Sequence, residues 1–196
     1  MNQVELNKQA KLSEHFSLGE LTRSKSHPEV YNIPSRQVIE NLKRVCVWLE
    51  ALRARYNERY VLAGAGGQVN TMAGGQVPKV EVFGENFISR PDPEVISRPD
   101  PEEEPIVITS GYRSAELNRK VGGVSTSNHL TGCAVDIRVA GKEQLIRYAC
   151  ILLDYADETR QDFDEILLEH GANGVIWLHF AVRAQGNRRK ISFLKA

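Results

Sequence analysis

The chain has 196 residues, of which 41% are hydrophobic and 26% charged, and its 25 basic residues balance 25 acidic ones. That length supports one domain with a sizeable core, and the even charge argues against electrostatic capture of nucleic acid or of an anionic membrane surface. No apolar run reaches the roughly 18 residues of a membrane span.

The polar start, residues 1–12, lacks the apolar centre of a signal peptide, so the chain reads as cytoplasmic when made. Three cysteines, Cys46, Cys133 and Cys150, stand in apolar surroundings and read as buried small hydrophobes in a reducing compartment. In chain order, Ser17-Leu18-Gly19-Glu20 has the spacing of a helix capping box, with Phe16 and Leu21 placed as a staple. Residues 24–34 read as a loop. Ser35 then caps an amphipathic helix to about Tyr56, with Val38, Ile39, Leu42, Val45, Cys46, Leu49 and Leu52 on one face.

Residues 63–104 have a different texture, rich first in glycine and then in Pro-Asp-Pro, with two short internal repeats. They read as a partly disordered insertion in a single domain spanning 1–196, with one candidate strand at residues 79–83. A short buried strand follows at Ile106-Val107-Ile108-Thr109, and Ser114 caps a short helix, residues 115–121, that ends at Gly122-Gly123. A strand at residues 133–139, a second amphipathic helix from Lys142 to about Asp157 and a hairpin (165–169, 175–183) around Gly171-Ala172-Asn173-Gly174 complete the sequence. The expected fold is α+β: a small, mainly antiparallel sheet with helices packed on one side.

Alternation along the strands assigns residues to faces. Val135, Ile137, Ile166, Leu168, Ile176, Leu178 and Phe180 read as the core face. Asp136, Glu165, Glu169, Trp177 and His179 share the open face, while His170 and Cys133 turn the other way. His129 stands seven residues before Asp136, across a glycine turn. Two imidazoles and a carboxylate suit a zinc ion that keeps a fourth position for water. The spacing of His129 and Asp136 fits equally a turn histidine and a loop-capping aspartate.

Taken together and in order, Ser110-Gly111-Tyr112-Arg113-Ser114, Leu117-Asn118, Val121-Gly122-Gly123-Val124, the run from Ser127 through His129, Gly132 and Ala134 to Asp136, and Trp177-Leu178-His179 resemble the zinc D-Ala-D-Ala carboxypeptidases. These peptidoglycan metallopeptidases are grouped with lysostaphin-type enzymes and the hedgehog domain. The stretch from Leu12 to Arg23 resembles their phage-type members, and the likeness covers most of the chain outside 63–104. The resemblance implies a zinc site of His129, Asp136 and His179 on the sheet's open face. It also implies a cationic substrate clamp at Arg113 and a substrate-facing hydroxyl at Ser127. The partner implied is a cell-wall peptide containing D-amino acids, cleaved by a carboxypeptidase or endopeptidase, as in a phage or prophage lysis enzyme released to the wall. Many relatives carry a glutamate three residues before the last histidine, where this chain has Ile176. The general base expected instead is Glu169, with Glu165 and His170 as alternatives. The competing expectations are a non-catalytic zinc-containing cell-wall binding module, resting on Ile176, and a virion structural module, for which the repeat-bearing insertion is the feature to truncate.

Overall fold

In the computed structural model the described residues are 7–62 and 102–195. The expected insertion lies outside them except for residues 102–104, as does the candidate strand at residues 79–83.

The N-terminal part is built from two capped helices. Ser17 and Glu20 form the reciprocal capping box of α1 (Leu18–Thr22), and Ser35 caps α2 (Arg36–Tyr56) through the Val38 N–H. α2 buries Leu42, Val45, Cys46, Trp48, Leu49 and Leu52, each contributing about 1.5–3 kcal/mol on transfer from water. It runs on into a π-helical turn, Asn57–Leu62. There the Asn57 side chain donates to the carbonyls of Arg53 and Glu104 and accepts from the Glu104 N–H at 2.6 Å. The chain thus returns to α2 at Glu104.

The rest is a five-stranded sheet of β1 (Ile108–Ser110), β2 (Ala134–Arg138), β3 (Glu165–His170), β4 (Ile176–Ala181) and β5 (Lys190–Lys195), in the order β1-β2-β4-β3-β5. Every pairing is antiparallel except β3 with β5. A short helix, α3 (Ala115–Lys120), and a 3₁₀ turn (Asn128–Thr131) lie between β1 and β2, and α4 (Lys142–Thr159) joins β2 to β3. The fold is α+β, as expected.

Val135, Ile137, Ile166, Leu168, Leu178 and Phe180 join α2 and α4 in one core, so the face assignment from alternation holds. Trp48 keys the layers together, with ring centroids 4.8 Å from Tyr155 of α4 and 5.3 Å from Phe180 of β4.

Several features differ from expectation: the strand expected at residues 106–109 runs instead over Ile108–Ser110, and α2 continues into the unexpected turn Asn57–Leu62. Cys150 is exposed on α4, whereas Cys46 and Cys133 are buried. β5 had no strand signal strong enough to register, because it is an edge strand whose apolar Ile191 and Phe193 stay half or more exposed.

Candidate metal and acid–base site

The site grows from two loops and the open face of the sheet. After β1 the chain makes a close turn at Gly111, where a Cβ would lie 2.2 Å from the Leu21 carbonyl oxygen. Only a glycine fits this approach, and the Tyr112 N–H then donates to that same carbonyl at 2.7 Å. The turn aims the Gly111 carbonyl at His129, whose Nδ1 lies 2.7 Å away. A carbonyl can only accept, so Nδ1 carries the proton and Nε2 keeps a free lone pair.

His129 itself rides on the 3₁₀ turn, whose cap is Ser127: its Oγ accepts the His129 N–H at 3.3 Å. The turn closes at Gly132 with φ +70°, where a Cβ would meet Val38 Cγ1 at 2.8 Å. β2 then starts, and its register places Asp136 beside His179 of β4.

These segments bring three buried ligand atoms together. His179 Nδ1 lies 2.9 Å from Asp136 Oδ1 and 3.3 Å from His129 Nε2, and His129 Nε2 is 3.3 Å from Asp136 Oδ1. One atom from each residue falls within 4.8 Å of the others, a group that could hold a metal ion. Burial alone would raise the Asp136 carboxyl, but His129 and His179 outweigh it and hold it far below the usual carboxylate range. Burial keeps His129 neutral by lowering its pKa, and a neutral imidazole is the form that ligates.

Arg113 is also drawn into this cluster. Its Nη2 donates to Asp136 Oδ2 at 2.6 Å, its Nε to Ser110 Oγ at 2.8 Å, and its backbone N–H to the His129 carbonyl. Among the described residues, Nη1 carries no hydrogen bond.

The three acid–base candidates separate cleanly. Glu169 is half-buried on the open face, opposite Trp177, whose indole N–H donates to its Oε2 at 2.6 Å. Burial raises its pKa, with the nearby Asp136 charge adding and His179 opposing. Glu165 stands on the far side of His179 from the ligand atoms, with Oε2 3.6 Å from His179 Nε2. His179, working against burial, and then Arg188 and Lys190 pull its carboxyl down to about 2. His170 is exposed and lies on the opposite face of β3, away from the cluster.

Sequence reasoning missed a polar network behind the site. Asp164 is fully buried, and its carboxylate accepts from Arg183 Nη2, from Arg188 through its N–H, Nε and Nη2, and from Asn128 Nδ2. Asn128 also donates to Glu165 Oε2 at 3.0 Å. The available signal was adjacency, since Asn128 directly precedes His129 and Asp164 directly precedes Glu165.

The Peptidase M15 family model matches residues 100–156 of this chain. This supports a metallopeptidase of that family. The match includes Arg113, Ser127, His129 and Asp136, while His179, Glu165 and Glu169 lie beyond it and meet those residues through the fold. No curated protein matches the chain.

Proposed function

We propose that this chain is a zinc-dependent peptidase that cleaves bacterial cell-wall peptides containing D-amino acids, as a carboxypeptidase or endopeptidase. The observation that carries this reading is the convergence of His129 Nε2, Asp136 Oδ1 and His179 Nδ1 in one buried cluster, with a partly buried carboxylate of raised pKa on the same face. Two nitrogens and one oxygen suit zinc and leave a coordination position open, and the fixed tautomer of His129 presents a bare nitrogen. When bound there, zinc supplies Lewis acidity toward water and a peptide carbonyl.

The chain's own residues then have separate tasks. Glu169 takes a proton from the attacking water and delivers it to the leaving amine, a role suited to a carboxyl raised toward the working pH. Trp177 holds the Glu169 carboxylate in place through its N–H. Arg113 orients Asp136 through Nη2 and offers Nη1 to a substrate carbonyl or terminal carboxylate. The Ser127 oxygen accepts from His129, so its hydroxyl proton is free for the substrate backbone.

The test is digestion of purified peptidoglycan by the zinc-loaded protein, with new amino termini and released amino acids read by mass spectrometry. Cleavage by the wild type should fall about 10²–10⁴-fold in Glu169→Gln, while zinc content stays the same. A zinc-binding wild type that cleaves nothing would instead favour a non-catalytic cell-wall binding module.

A further inference from the structure

The metal cluster constrains the ring proton of His179. Its Nδ1 points at Asp136 and His129, while its Nε2 is buried with no hydrogen bond in the structure. A nitrogen that gives its lone pair to a metal carries no proton. A neutral His179 ligating through Nδ1 must therefore hold its proton on Nε2. A buried N–H without an acceptor costs about 1–3 kcal/mol. The Glu165 Oε2 atom stands 3.6 Å from that nitrogen.

We propose that Glu165 is a positioning residue for His179: its carboxylate accepts a hydrogen bond from Nε2–H and so presents Nδ1 to the metal. The proposal rests on the metal site of the preceding section. A closure of roughly 0.6 Å brings the pair to ordinary N–H···O length. The carboxylate is braced for this. Asn128 Nδ2 holds Oε2 at 3.0 Å, and Arg188 Nη2 and Lys190 Nζ stand 2.9 Å and 3.4 Å from Oε1.

The brace is itself anchored. Asn128 also donates to Asp164 Oδ2 at 2.8 Å, and Arg188 grips both carboxylates. One loop thus supplies the ligand His129 and, one residue earlier, the amide that steadies the carboxylate behind the other histidine. Carboxylate partners of this kind fix the tautomer and ring angle of metal-bound histidines, and their loss typically weakens metal binding about 10–100-fold.

The test measures zinc affinity by competition with a chromogenic chelator, using the full chain as wild type, Glu165→Ala and Glu165→Gln. Glutamine keeps an oxygen that can accept a hydrogen bond from Nε2–H. We expect the alanine variant to bind zinc about 10–100-fold more weakly and the glutamine variant to recover most of that loss. A loss equal in both variants, or no loss in the alanine variant, overturns the positioning role. A second measurement needs no variant. Long-range nitrogen–proton correlation spectra of the zinc-loaded wild type should show the His179 proton on Nε2. A proton on Nδ1 overturns the proposal even if the alanine variant folds poorly. A wild type that binds no zinc overturns the metal site itself, a different failure from an unchanged affinity in Glu165→Ala.

Discussion

Glu165 and Glu169 share one strand and one face, yet their surroundings drive their carboxyls in opposite directions. Glu165 is ringed by His179, Arg188 and Lys190 and stays ionised down to about pH 2, which makes it a weak proton acceptor near neutrality. Glu169 is raised by burial, and among the described residues its side-chain hydrogen bond comes from the Trp177 indole, which favours the ionised form. Trp177→Phe removes that bond without opening the strand. The sign follows directly: losing a donor to the carboxylate raises the Glu169 pKa further. The acid limb of the pH profile of kcat/KM should therefore move to higher pH, and a limb that moved down or stayed fixed would remove Glu169 as the base. Strand alternation alone placed Glu165 and Glu169 on the open face, but their difference depends on Arg188 and Lys190. Arg188 comes from the segment just before β5 and Lys190 from the first residue of β5, a strand with no sequence signal.

At the scale of elements, the turn before β2 and the start of β3 bear most of the positioning. Gly132 combines φ +70° with a Cβ clash of 2.8 Å against Val38, so Gly132→Ala should destabilise the fold by about 1–3 kcal/mol and weaken zinc binding, because the same turn carries His129. Thermal unfolding and chelator competition read the two effects separately. Asp164 anchors the start of β3. Burial would raise its carboxyl, but Arg188, Asn128 and Arg183 draw it down to about 2. Because its folded pKa lies below the unfolded value of about 3.9, its stabilisation is complete above that value and disappears as pH falls from about 4 to 2. Asp164→Asn should lose about 2 kcal/mol near neutrality, a figure kept modest because both arginines are half-exposed. Acid titration of stability should then be shallower in the variant over that window; an equal slope would show that Asp164 is not the group responsible. The helices and hairpin were legible because their periodicity and caps are local. The Asp164 network was not, because its partners are as much as 36 residues apart in sequence.

For the molecule as a whole, the sheet does what no single stretch of sequence can. The order β1-β2-β4-β3-β5 sets the Arg113 loop, Asp136, His179 and Glu169 side by side across four neighbouring strands. α2 and α4 pack on the other face, so among the described residues the helical core and the His129–Asp136–His179 cluster lie on opposite sides of the sheet. The family resemblance pointed to His129, Asp136 and His179, and strand parity put the last two on one face; the fold brings the three into one group that could hold a metal ion. What the fold added is which atoms meet: Nε2 of one histidine and Nδ1 of the other. Among the described residues, no helix is long and apolar enough to cross a membrane.

The most direct test is a crystal structure of the zinc-loaded protein with anomalous scattering measured at the zinc edge. The expected result is one peak per chain, about 2.0–2.2 Å from His129 Nε2, Asp136 Oδ1 and His179 Nδ1. A peak elsewhere, or none at those three atoms in protein exposed to excess zinc, would contradict the metal site on which the proposed function rests.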